Sequence, residues 1–108
     1  MIVYGINTCA LTKRAFRTLE DAGRDVTFRD VRADPMSDDE WAGLIVEFGD
    51  RLVDRKSTDW RALSDWLKNS EAEAQLAAKP KLMVRPVIRD GEKYFLGRDD
   101  ATIAACLA

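Results

Sequence analysis

The chain offers two thiols, Cys9 and Cys106, and no histidine among its 108 residues. Without an imidazole, Ser-His and Cys-His nucleophilic sites are excluded, as are imidazole ligands for zinc, copper or haem. Chemistry must come from thiol, carboxylate, Lys, Arg or backbone groups. Cys9 is the main candidate, because it follows Asn7-Thr8 at the end of an apolar run and precedes a helical pattern. Backbone N–H groups and the positive end of a helix dipole favour a thiolate at such a position, which makes it a nucleophile near neutral pH. The plain alternative is a small packed residue ending a strand. Asn7 is read as a supporting residue of this loop. Thr12 either brings its hydroxyl to the sulfur or caps the backbone of the first turn. Because position 12 is not a cysteine, an intramolecular Cys-x-x-Cys disulfide is unavailable, and thiol chemistry here is monothiol.

Three arginines are the matching cations: Arg85 ahead of Pro86, Arg98 after Gly97, and Arg55 beside Lys56. A guanidinium fork suits a tetrahedral oxyanion, although each of these residues also reads as an ordinary surface charge. Cys106 shares an apolar stripe with Ile103 and Leu107 and reads as a core thiol, the alternative being a resolving cysteine for Cys9.

These residues need a scaffold, and composition bounds it. A length of 108 with 46% hydrophobic residues and nine aromatics suffices for one compact domain without disulfide staples. The net charge of −2 supplies no overall basic field, so nucleic-acid and anionic-membrane binding are not expected. The start Met1-Ile2-Val3-Tyr4-Gly5 lacks a basic leader, and no window approaches a spanning length of about 18 apolar residues. A reduced, cytoplasmic protein is expected.

Met1–Ile6 reads as a buried strand, and Leu11, Ala15, Leu19 and Ala22 at i+4 spacing predict a helix over about 9–22 closed by Gly23. Val26–Val31 alternates as a strand, giving a β-α-β unit with Cys9 at the carboxyl end of its first strand, where open α/β sheets place ligands. Residues 35–80 are expected to be three helices without a strand. The first follows the capping box Ser37-Asp38-Asp39-Glu40, the second is marked by Trp60, Leu63 and Leu67 after Thr58 or Asp59, and the third follows a capping box at Ser70–Glu73. Trp41, Trp60 and Trp66 are expected at the core or boundary of this insert. Val84–Arg89 and Glu92–Leu96 around Asp90-Gly91 predict a hairpin, and Asp99 or Asp100 caps a terminal helix. The order β-α-β, helical insert, β-β-α gives an α/β protein of thioredoxin-like fold with a small mixed sheet, read as one domain over 1–108 with its insert at about 35–80. Arg85-Pro86 then falls where such folds hold a cis proline beside the active cysteine, and X-Pro is the only bond for which cis is cheap.

The sequence resembles the arsenate reductase family that depends on glutathione and glutaredoxin, with its Spx and YffB-type relatives. The resemblance spans essentially the whole chain: Tyr4-Gly5-Ile6-Asn7-Thr8-Cys9, Leu52-Val53-Asp54-Arg55-Lys56 with Trp60-Arg61-Ala62-Leu63, Arg85-Pro86-Val87, and Gly97-Arg98. It implies a nucleophilic Cys9 ringed by oxyanion-binding arginines: Arg85, Arg98, and Arg55 or Lys56 depending on a one-residue gap. No bound cofactor is implied. Glutathione is the implied reductant, glutathione and glutaredoxin the implied partners, and a small oxyanion the implied substrate. Ala10-Leu11-Thr12 departs from the Gly-Thr-Ser of arsenate reductases, and the opening Tyr-Gly-Ile is nearer the YffB type. A glutathione-dependent reductase of a protein substrate and an Spx-like regulator contacting RNA polymerase are therefore the alternatives to an arsenate reductase.

Overall fold

The computed structural model describes residues 1–108 and divides them into two compact units, Met1–Met36 with Arg85–Ala108, and Ser37–Val84. The first holds strands β1 (Ile2–Gly5), β2 (Thr27–Asp30), β3 (Val87–Asp90) and β4 (Lys93–Leu96), with helices α1 (Ala10–Asp21) and α6 (Asp100–Leu107). The sheet order is β2-β1-β3-β4, with β1 parallel to β2 and antiparallel to β3, and β3 antiparallel to β4. This is the expected small mixed sheet. β3 and β4 are joined by a two-residue turn at Gly91-Glu92, since Asp90 pairs with Lys93. Val3 and Ile88, opposite each other in the register, form a core with Ala15 and Leu19 of α1 and Ile103 and Cys106 of α6. Asp99 caps α6, its carboxylate accepting from the Thr102 N–H at 2.7 Å.

The stripe of α1 differs from the expected one. Its buried residues are Thr12, Ala15 and Leu19, whereas Leu11 is half-buried and Ala22 exposed. Gly5 is the physical reason: a Cβ there would overlap the Thr12 side chain, so the helix packs its first turn against the strand through a glycine and a threonine.

The second unit contains α2 (Asp38–Phe48), α3 (Thr58–Arg61), α4 (Asp65–Lys68) and α5 (Ala72–Ala78), with 3₁₀ turns at Gly49–Leu52 and Pro80–Leu82. The Ser37/Glu40 capping box forms as expected. The single helix expected around Trp60–Leu67 is instead two. Ser57 caps α3 and Ser64 caps α4, so a serine inside the apolar pattern restarts the helix. Ser70 does not cap the last helix: its hydroxyl donates back to the Trp66 carbonyl at 2.8 Å, and Glu71 precedes α5 without a side-chain cap. Buried Gln75 ties α5 to the preceding turn, its Nε2 donating to the Leu67 and Ser70 carbonyls at 3.0 and 2.9 Å. Trp41 and Trp60 are half-buried, but Trp66 is 75% exposed, against the expectation that all three pack. A lone bridge between Val53 and Met83 is the unit's only β pairing. No helix is long and apolar enough to cross a membrane.

Candidate active site

The turn that follows β1 delivers Cys9 to the start of α1. The Cys9 N–H donates to the Ile6 carbonyl at 3.0 Å, and the Cys9 carbonyl accepts from Lys13 N–H at 3.0 Å, so the residue is the N-cap of the helix. Asp30, at the end of β2, holds the neighbouring chain. Its carboxylate accepts from the Arg32, Ala33 and Asn7 N–H groups at 2.9, 3.3 and 3.4 Å, while Arg32 donates to the Asn7 side-chain carbonyl at 2.8 Å. Asn7 therefore acts on the loop rather than on the sulfur. Partial burial pushes the Asp30 carboxyl up, but these N–H groups and the Arg32 charge outweigh it and hold the group below the usual carboxylate range.

Cys9 is half-buried and carries a free thiol. Burial pushes its pKa up. The hydroxyl and N–H of Thr12, the N–H of Leu11 and the charge of Arg85 act in the opposite direction and prevail, so the thiol lies below its ordinary value. Thr12 Oγ1 is fully buried and has no hydrogen-bond partner, and its hydroxyl acts on Cys9 in favour of the thiolate.

Arg85-Pro86 is a cis peptide bond, as expected. Arg85 is half-buried, acts electrostatically on Cys9, and its guanidinium takes part in no ion pair. Gly97 brings the second arginine to the first. Its N–H donates to the Pro86 carbonyl at 2.8 Å, and a Cβ at this position would stand 2.7 Å from Ile88 Cδ1 and 3.2 Å from Pro86 Cγ. The following Arg98 donates from Nε to the Arg85 carbonyl at 3.3 Å. Beside it a cavity of about 190 Å³ is walled by Leu11, Arg14, Gly97, Arg98, Asp100 and Ile103. Cys9, Thr12, Arg85, Pro86 and Arg98 thus all belong to the sheet unit. Arg55 belongs to the helical unit, where its guanidinium lies 5.5 Å from the centroid of the Trp60 ring and 3.9 Å from Asp50.

Cys106 is a core thiol. Burial pushes its pKa up and Asp90 adds to this, against the opposing Arg24 and N-terminal charges. Both cysteines are free thiols, Cys106 buried in the core with Val3, Leu19, Ile88 and Ile103, and Cys9 at the N-cap of α1. Sequence reasoning missed the Asp30–Arg32–Asn7 network and the two close approaches at Gly5 and Gly97; only the glycines left a signal, as small residues flanking the strand ends.

A cysteine capping the first helix at the carboxyl end of β1, a cis proline leading into β3, and this sheet order define a thioredoxin-like protein. The chain matches the ArsC family over residues 4–106. A solved structure of a protein named YffB is similar with a TM-score of 0.84 at 25% identity, over 99% of this chain and 98% of that one. The solution structure of an arsenate reductase (ArsC) related protein from Brucella melitensis gives 0.72 at 28% identity, over 96% and 91%. An uncharacterised protein of Haemophilus influenzae is 33% identical over 98% of this chain and 97% of its own length. The chain belongs to the ArsC family, and that membership points to a thiol-dependent reductase.

Proposed function

We propose that the protein is a monothiol reductase in which the Cys9 thiolate attacks either an oxyanion such as arsenate or a glutathione mixed disulfide. The observation that carries this reading is the half-buried Arg85, in no ion pair and acting on a thiol at the N-cap position of α1 that is itself below its ordinary pKa. Arg85 and Arg98 neutralise negative charge that builds on the bound group. The family resemblance implies a further anion ligand, Arg55 or Lys56.

With a mixed disulfide, the Cys9 sulfur bonds to one substrate sulfur as the S–S bond breaks, and the other sulfur leaves as a thiolate that takes up a proton. With an oxyanion, the sulfur bonds to the central atom as a protonated oxygen leaves as water. The two electrons that reduce the centre come from a pair of thiols, which end as a disulfide. With Cys106 a free thiol buried in the core and no second cysteine near Cys9 in sequence, glutathione and glutaredoxin are the proposed reductants, which suits a reducing compartment such as the cytoplasm.

The experiment is a turnover assay with arsenate, and separately with a glutathione mixed disulfide, in the presence of glutathione and glutaredoxin. Wild-type protein is expected to turn over one of the two, and Cys9→Ser neither. No turnover by wild type, combined with co-purification of RNA polymerase, overturns the reading in favour of a regulator.

A further inference from the structure

We propose that the face of α1 turned toward β2 is a docking groove for an acidic segment of a protein partner. A cavity of about 380 Å³ is lined there by Asn7, Lys13, Phe16, Arg17, Glu20 and Phe28. Lys13, Phe16, Arg17 and Glu20 follow the i, i+3, i+4, i+7 spacing of one helix face. Phe16 and Phe28 form its apolar floor, edge to face at 6.0 Å between centroids, and both are half-buried. Asn7, two residues before Cys9 in the chain, completes the lining.

The charge of the rim is the informative feature. Lys13 and Arg17 are exposed and take part in no ion pair or side-chain hydrogen bond, whereas Arg14, on the same helix, donates to both carboxylate oxygens of Asp100 at 2.8 Å. Helix stability does not account for them. The first turn of α1 contains no acidic residue, and a cation such as Lys13 close to the amino end opposes the helix dipole. Thiolate activation does not account for them either, because the cation that acts on Cys9 is Arg85.

Two unpaired cations above an aromatic floor complement a segment that carries carboxylates around one apolar or aromatic side chain, and the cavity has the volume to bury that side chain. A nucleic acid fits less well: two cations release few counterions, Glu20 stands on the rim, and the whole chain is net negative. That the segment belongs to the partner exchanging at Cys9 rests on the reductase reading; the docking itself does not.

The two are tested separately. A fluorescein-labelled, cysteine-free peptide with one phenylalanine flanked by glutamates is titrated by anisotropy into full-length Cys9→Ser protein, beside a lysine-flanked peptide and a single-stranded oligonucleotide. The glutamate peptide is expected to bind best, more weakly at raised salt, and about tenfold more weakly to the Lys13→Glu/Arg17→Glu variant. Equal binding of the two peptides, an unchanged affinity in the double variant, or preference for the oligonucleotide overturns the proposal. In the second arm the glutamate peptide carries a cysteine as its mixed disulfide with 2-thiopyridine. The Cys9 thiolate of the otherwise native chain bonds to the peptide sulfur as the peptide–pyridyl S–S bond breaks, and pyridine-2-thione is released and read by absorbance. Charge reversal is expected to slow this peptide about tenfold and to leave the uncharged reagent dipyridyl disulfide unaffected. Equal slowing of both reagents overturns the link to Cys9. No reaction of wild type with dipyridyl disulfide defeats the reductase reading, and the anisotropy result still decides the groove.

Discussion

Replacing Thr12 with Val preserves shape and deletes one hydroxyl, and the structure assigns opposite signs to the two consequences. The side chain is fully buried, and its oxygen has no hydrogen-bond partner. While Cys9 is a neutral thiol, that hydroxyl is a desolvated polar group in the folded state, so Thr12→Val leaves stability unchanged or raises it by up to about 1 kcal/mol. When Cys9 is a thiolate, the hydroxyl donates to a charged acceptor. At a half-exposed site the low end of the range applies, about 1.5 kcal/mol, which is about tenfold in the thiolate-to-thiol equilibrium. The assay is the iodoacetamide alkylation rate of Cys9, followed by intact mass well below the thiol's titration, beside urea unfolding. Thr12→Val is expected to alkylate about tenfold more slowly than wild type, and Thr12→Ser to stay near it. The pH dependence has a fixed sign. A lowered folded pKa contributes stability above the unfolded thiol's pKa and loses it as pH falls through the folded one, so wild type gains on Thr12→Val as pH rises through that window. Equal alkylation rates, or a Thr12→Val protein destabilised by more than about 2 kcal/mol, would refute the reasoning, the second by showing that the hydroxyl serves packing alone.

Gly5→Ala forces a methyl group into Thr12 and is expected to lower stability by about 1–3 kcal/mol in thermal melts, with partial recovery in Gly5→Ala/Thr12→Ala. Cys106 is expected to resist alkylation in the native protein while Cys9 reacts, and to react only after unfolding; a native Cys9–Cys106 disulfide in peptide mapping would contradict its placement. Asp30→Asn is expected to lower the urea midpoint near neutral pH. Because the folded Asp30 lies below the usual carboxylate range, its contribution is present above that range and is lost as pH falls through the folded pKa, so the gap to wild type closes in acid.

Much of the sheet unit was legible because its signals are local. The apolar run before Asn7-Thr8 placed Cys9 at the helix start, Asp90-Gly91 located the hairpin, and Arg85-Pro86 proved to be the cis bond. Placing Thr12 on the buried stripe needed the strand beneath the helix, since only the missing Cβ of Gly5 lets that polar residue face inward. The helical unit was less legible. Ser64 interrupts an apolar spacing that looks continuous in one dimension, and Ser70 serves the helix before it rather than the one after. Gln75, whose buried amide donates to three carbonyls of α4 and the turn after it, has no signature in a linear pattern. In the candidate site, the cysteine, Arg85 ahead of β3 and Arg98 after β4 were visible from residue type, whereas the Gly97 contact that brings Arg98 to Arg85 depends on Ile88 and Pro86 behind it.

The central claim, that Cys9 is an activated thiolate, is tested most directly by the pH profile of its alkylation in the native protein against the same thiol in the urea-unfolded chain. The native profile is predicted to turn over at clearly lower pH than the unfolded one, and to move back toward it in Arg85→Ala. A native profile that coincides with the unfolded one, or lies above it, contradicts the account.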